Sequence, residues 1–196
     1  MNDSGLNRAS LLVEALVFAS PEPVKVSAIA ELLKVQGFEL PVPDVLAAVQ
    51  IRYASHAIEL VDVAGGWQFR TRPDYAQALV RVIEKPRRLS RGAMETLAII
   101  AYHQPCTRAE IEAIRGVSLG QAILDALLED GLIAPKGRRE VPGRPVLWST
   151  TSTFLESFGL PDLGALPRRE DFLLDRAPTE AAPDASSAVG GGVEKG

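Results

Sequence analysis

The chain of 196 residues has one cysteine and two histidines, and this scarcity removes several chemistries at once. A single thiol, Cys106, permits no internal disulfide, which fits a reducing compartment. His56, His103 and Cys106 stand in no metal-ligand spacing, so no zinc site can be read from them. A cysteine nucleophile needs a base beside it. His103 is near Cys106 in sequence, but Pro105 lies between them, and His103 reads instead as a helix-terminal residue placed favourably in the helix dipole. There is no glycine-rich phosphate loop either, because neither Gly116 nor Gly120 is followed by the lysine such a loop requires. These exclusions leave no candidate catalytic, cofactor-binding or metal-binding residue, and the expectation is a non-enzymatic protein without a cofactor.

Long apolar runs are missing too. Although 46% of residues are hydrophobic, no run approaches the roughly 20 residues that span a bilayer. Met1-Asn2-Asp3-Ser4-Gly5 has neither the basic start nor the apolar core of a signal peptide, so the expected location is cytoplasmic, with no membrane partner. An excess of cations is also absent. Residues 1–85 carry 8 basic and 10 acidic side chains, residues 86–167 carry 9 and 9, and residues 168–196 carry 4 and 6, together the chain's 21 and 25. Autonomous DNA binding rests on a surplus of Lys and Arg, so DNA contact should be weak or indirect.

What is present is punctuation. Residues 90–103 read as a helix with Met94, Leu97, Ala98 and Ala101 at helical spacing, ended by Gln104-Pro105. Thr107-Arg108-Ala109-Glu110 is a capping box, with Cys106 and Ile111 placed as its hydrophobic staple. A second such box, Ser118-Leu119-Gly120-Gln121, opens a third helix that Asp130-Gly131 closes. A strand from Leu132 turns near Glu140-Val141-Pro142-Gly143 and returns through Val146-Leu147-Trp148. A short helix capped at Thr153 ends at Gly159. The first half repeats the plan, with Phe18 over Ile100, Pro23 over Pro105 and Ile29 over Ile111. Its helices are expected at 11–19, 26–35 and 43–57, its hairpin at 58–71 and a closing helix at 75–84. Helix, helix, helix, hairpin is the winged-helix order. The expected fold is therefore mainly α with small β-hairpin wings (α+β): two tandem winged-helix domains, 1–85 and 86–167, and a disordered tail, 168–196, rich in Ala, Pro, Ser, Gly and acids.

A DNA-reading winged helix places its third helix in the major groove. The third helix of the second domain carries Asp125, Glu129 and Asp130 and no Lys or Arg, so it repels phosphate. Its stripe of Leu119, Ala122, Ile123, Ala126 and Leu127, widened by Leu124 and Leu128, is either a broad core face or a protein-docking surface. The wing concentrates Lys136, Arg138, Arg139 and Arg144. It reads either as a solvated hairpin with Arg144 fixed to a carboxylate, or as a patch for an acidic partner or weak phosphate contact through Lys136, Arg138 and Arg139. Residues 11–19 contain eight apolar residues in nine. One face must pack inside, which leaves Val13 or Val17 looking outward as a dimer-interface candidate.

Leu89-Ser90-Arg91-Gly92-Ala93-Met94-Glu95-Thr96-Leu97-Ala98-Ile99-Ile100-Ala101-Tyr102-His103-Gln104-Pro105, then Thr107-Arg108-Ala109-Glu110-Ile111-Glu112 and Ile114-Arg115-Gly116-Val117, form a distinctive run. With Gly137-Arg138, Pro142-Gly143-Arg144-Pro145, Thr150-Thr151, Phe154-Leu155 and Phe158-Gly159-Leu160 it closely resembles the segregation and condensation protein B family. The first half resembles that family more weakly, through Glu14-Ala15-Leu16, Phe18 and Pro23. The resemblance implies a non-enzymatic subunit of the bacterial SMC condensin complex, acting in chromosome condensation and segregation during cell division. It further implies homodimerisation through the N-terminal domain and binding of the kleisin subunit, segregation and condensation protein A, through the C-terminal domain, with SMC reached through the kleisin at the nucleoid. The kleisin-binding candidates are then Leu124, Leu128, Arg138, Arg144 and Trp148. The alternative is a winged-helix transcriptional regulator, whose third helix should be basic.

Overall fold

In the first half, a helix apolar nearly all round selects one face for the core. The computed structural model describes residues 3–79 and 89–168. Helix α1 (Asp3–Ala19) begins well before the expected start at Leu11, because polar Asn7 and Arg8 mask a stretch that buries Ala9 and Ser10. Ala9, Val13 and Val17, four residues apart, enter the core together with Ile29 and Leu33 of α2 (Val26–Val35) and Val45, Leu46 and Val49 of α3 (Val42–Tyr53). The placement of Val13 and Val17 on the outside is thus corrected: they are 0% and 3% exposed. Polar contacts explain which face turned inward. Glu14 takes the Arg52 guanidinium at 2.6 Å and the Tyr53 hydroxyl at 2.9 Å, and Arg52 also donates to Asn7 and Ser10, locking α1 on α3.

Strands β1 (Ile58–Val63) and β2 (Gly66–Thr71) form the expected antiparallel hairpin, pairing Val63 with Gly66. Val24, just before α2, adds a bridge to Trp67 on the outer edge of β2. Gly66 permits that approach, since a Cβ there would lie 2.9 Å from the carbonyl carbon and oxygen of Pro23. Helix α3 ends at Tyr53, earlier than expected, and α4 (Pro73–Leu79) supplies the start of the closing helix. The rest of that helix, the 85/86 boundary and the tail after Arg168 lie outside the described residues.

The second half keeps the order and adds a strand. Helix α5 (Arg91–His103), capped by Ser90, buries Ala93, Thr96, Leu97, Ile100 and Ala101, so Met94 and Ala98 of the expected stripe face outward. The two residues of β3 (Cys106–Thr107) pair with β5 (Val146–Thr150), which pairs in turn with β4 (Ile133–Arg138), giving an antiparallel sheet in the order β3-β5-β4. Helix α6 (Arg108–Arg115) carries the complete Thr107 capping box, and Gly116 ends it in the left-handed region. Helix α7 (Gln121–Glu129) is shorter than expected, and the Ser118 box does not form: Gly120 is the N-cap. The cause is tertiary. The Leu119 side chain is buried, its N–H donates to Glu112 at 2.9 Å and its carbonyl accepts from Arg108, which commits the loop to α6. Helix α8 (Ser152–Phe158) is capped by Thr151 rather than Thr153. The architecture is a mixed α/β fold of helices and small antiparallel sheets. The described residues up to Ala165 belong to one compact unit, and Leu166 begins another of which residues 166–168 are described.

Gly66→Ala drives a Cβ into main chain that cannot swing aside. It should destabilise the protein by about 1–3 kcal/mol, measured by denaturant unfolding, and unchanged stability would show that Pro23 yields freely.

Candidate functional site

The second hairpin projects from a base built by side chains that substitute for main chain. Gln104 closes α5, with a cis peptide to Pro105, and meets the end of β5 twice: its Oε1 accepts the Thr150 N–H at 2.8 Å and its Nε2 donates to Thr150 Oγ1 at 2.9 Å. Thr151 caps α8 while its hydroxyl donates to the Gly131 carbonyl at 2.5 Å, joining the end of β5 to the approach to β4. At the far end, Val141-Pro142-Gly143-Arg144 closes with the Arg144 N–H on the Val141 carbonyl at 2.8 Å. Pro at the second place and Gly143 at φ 85° make this a type II turn.

Glu110 ties the wing to the helix start. Its Oε2 accepts the Thr107 N–H at 2.8 Å and hydroxyl at 2.9 Å, and its Oε1 accepts from Arg139 at 2.7 Å. The Thr107 main-chain bond, then Arg139 and the Thr107 hydroxyl, hold its carboxyl at about 2, against 4.5 for the ordinary side chain. Cys106 is buried next to this node, and burial raises its thiol pKa, which suits the packing role given by its position before the capping box.

The expected site residues separate into three groups. Leu124 is 2% exposed and belongs to the core with Leu119 and Leu127, so it is withdrawn as a docking residue. Arg139 is committed to Glu110, the role anticipated for Arg144. Arg144 itself has no carboxylate at ion-pair distance among the described residues; its carbonyl accepts from Arg138 at 3.0 Å. Lys136, Arg138 and Arg144 are exposed along the wing, Leu128 is 36% exposed near the end of α7, and Trp148 is half-buried in the central strand opposite Cys106 and Pro135. Exposed α7 side chains are Gln121, Ala122, Asp125, Leu128 and Glu129, a face without a cation.

Sequence reasoning overlooked the outer face of α1. Leu11 (48% exposed), Ala15 and Phe18 (83% exposed) lie at i, i+4, i+7 and form an uncovered apolar stripe. The signal was available in the phenylalanine, since Val13 and Val17 at spacing four already define a complete inward face. On α5, Met94, Ala98 and Tyr102 are also exposed.

Exposed apolar side chains on α1 and α5 and exposed cations on the second hairpin are thus the outward features of the described residues. Comparison with known proteins identifies the family: the model for segregation and condensation complex subunit ScpB matches residues 11–169, and the chain belongs to this family. It is 46% identical over 164 residues to segregation and condensation protein B of Symbiobacterium thermophilum, covering 82% of this chain and 74% of that relative. It is 47% identical over 169 residues to the Moorella thermoacetica protein of the same name, covering 84% and 83%. A crystal structure of ScpB from Mycobacterium tuberculosis is 31% identical, covers 79% of this chain and 97% of that one, and superposes with a TM-score of 0.36.

The Glu110 node has a definite pH signature. A carboxylate with its folded pKa depressed favours the fold above its unfolded value, and that contribution is lost as pH falls from 4.5 through about 2. The stability gap between the parent and Glu110→Gln, from denaturant melts, should be full above pH 4.5 and close as pH approaches about 2. A gap constant across that window would show that the charge of Glu110 does not contribute.

Proposed function

We propose that this chain is a non-enzymatic subunit of the bacterial SMC condensin complex that acts as a homodimer and binds the kleisin subunit. Membership of the ScpB family across residues 11–169 carries the reading. Each half is read as a winged-helix domain, 1–85 for dimerisation and 86–167 for the kleisin, with residues 168–196 as a tail. The dimer would clamp the middle of a kleisin whose ends reach the SMC heads, placing the chain at the nucleoid through its partner.

The dimer face is assigned to Leu11, Ala15 and Phe18 in place of Val13 and Val17, because a phenylalanine this open on an otherwise apolar helix face is the feature a partner surface would cover. The kleisin face is assigned to Leu128, Arg138, Arg144 and Trp148, with Lys136 at its rim. Unpaired cations around apolar side chains suit an acidic, amphipathic segment. A DNA-binding regulator is the weaker reading. The exposed positions of α3 are Pro43, Asp44, Ala47, Gln50 and Ile51, its arginine is held by Glu14, and α7 exposes acids, so neither third helix presents a free cation to a groove. Lys136 and Arg138 leave room for weak, salt-sensitive phosphate contact.

Phe18→Asp should convert the dimer to a monomer in light scattering, with unfolding stability within about 0.5 kcal/mol of the parent, as for an exposed site. A variant that stays dimeric would remove α1 from the interface. For the kleisin face, Arg138→Glu with Arg144→Glu should weaken capture of co-expressed kleisin about tenfold or more, equivalent to about 1.4 kcal/mol, while the dimer persists. Undiminished capture would move the site, with the Met94 and Tyr102 face of α5 next in line.

A further inference from the structure

Among the described residues, no helix or strand of the first half packs extensively on one of the second. Hydrogen bonds from the first hairpin join them. Ala64 and Gly65, between β1 and β2, both have positive φ (52° and 65°), the requirement of a two-residue type I′ turn. The Ala64 N–H donates to the Leu160 carbonyl at 2.8 Å and the Gly65 N–H to the Pro161 carbonyl at 2.9 Å. Arg70, on β2, donates to the Glu156 carbonyl in the last turn of α8. Its guanidinium also lies against Gly159, the left-handed residue ending α8, where a Cβ would stand 3.2 Å from Arg70 Nη1. Behind the tip, Lys25 Nζ donates to the Ala64 carbonyl at 2.5 Å.

We propose that the first hairpin and the segment 159–161 form a releasable clasp that sets the angle between the two halves. The parts are suited to release. Alanine and glycine at the tip bring almost no apolar side chain to the contact, and the hydrogen bonds across it come from main chain and from one arginine. Ala64, Leu160 and Pro161 are only half-buried, and water can satisfy the groups that separate. The two cores lie elsewhere and need not change when the clasp opens. The same contact occupies the tip of the first hairpin, the part of a wing that would otherwise be free to meet a partner. In the dimer proposed above, the clasp would fix the spacing between two kleisin-binding wings; that consequence rests on the dimer reading, whereas the intrachain distance that tests the clasp does not.

The test is a spin-label distance in the full chain between cysteines placed at Ala30 and Ala113, both exposed and in different halves. Labelled chains are diluted with excess unlabelled chain so that only the intrachain pair is read, and buried Cys106 is checked for labelling in a control without added cysteines. The parent should give one narrow distance. Arg70→Ala, which removes the grip on α8, and separately Gly159→Val, which misplaces the segment, should each broaden it and raise the population outside the parent peak at least tenfold, with the fold intact by circular dichroism. A variant that unfolds is set aside and the other decides. A broad distribution in the parent, or parent-like narrow distances in a folded variant, would overturn the clasp.

Discussion

The carboxylate of Glu110 holds together the outward-facing parts of the second half. It completes the cap of α6, fixes Thr107 in the short strand β3, and takes Arg139 of the second hairpin. A helix start, a sheet edge and a hairpin therefore share one charge. With Arg139 used in this way, the cations of the hairpin that stay exposed are Lys136, Arg138 and Arg144. An isolated exposed ion pair contributes little. This one matters through the hydrogen bonds it completes, which position main chain that the sheet and the helix both need.

The first half solves a different problem. Its leading helix has more apolar surface than one small core can cover, and the Glu14, Arg52 and Tyr53 contacts decide which side goes in. The side left out carries Phe18 and Leu11. The second half likewise leaves apolar side chains such as Met94 and Leu128 exposed, beside the exposed cations Lys136, Arg138 and Arg144 of its hairpin.

Local signals were legible wherever local chemistry decides the outcome. The Thr107 box, the two hairpins and the glycine stops could all be placed from residue order, because caps and turns draw on neighbours within a few positions. The Ser118 box failed because Glu112 and Arg108 had already claimed the backbone of Leu119, a long-range contact that no window of sequence reveals. Val13, Val17 and Leu124 were misplaced for a related reason: on helices apolar on several sides, periodicity identifies a stripe without saying which edge faces the core. The role expected of Arg144 falls to Arg139 because the carboxylate concerned, Glu110, lies far away in sequence on α6, and only the path of the hairpin shows which arginine reaches it. The two-residue strand β3 was below the length at which any pattern could announce it.

The proposed function makes the second half, through its hairpin, the partner-binding end of the molecule. Hydrogen exchange on the full chain, alone and with co-purified kleisin, tests it most directly. Slowed exchange is expected in β4 and β5, Ile133–Arg138 and Val146–Thr150, with α1 unchanged. Protection confined to the first half, with the wing exchanging as in the free protein, would contradict it.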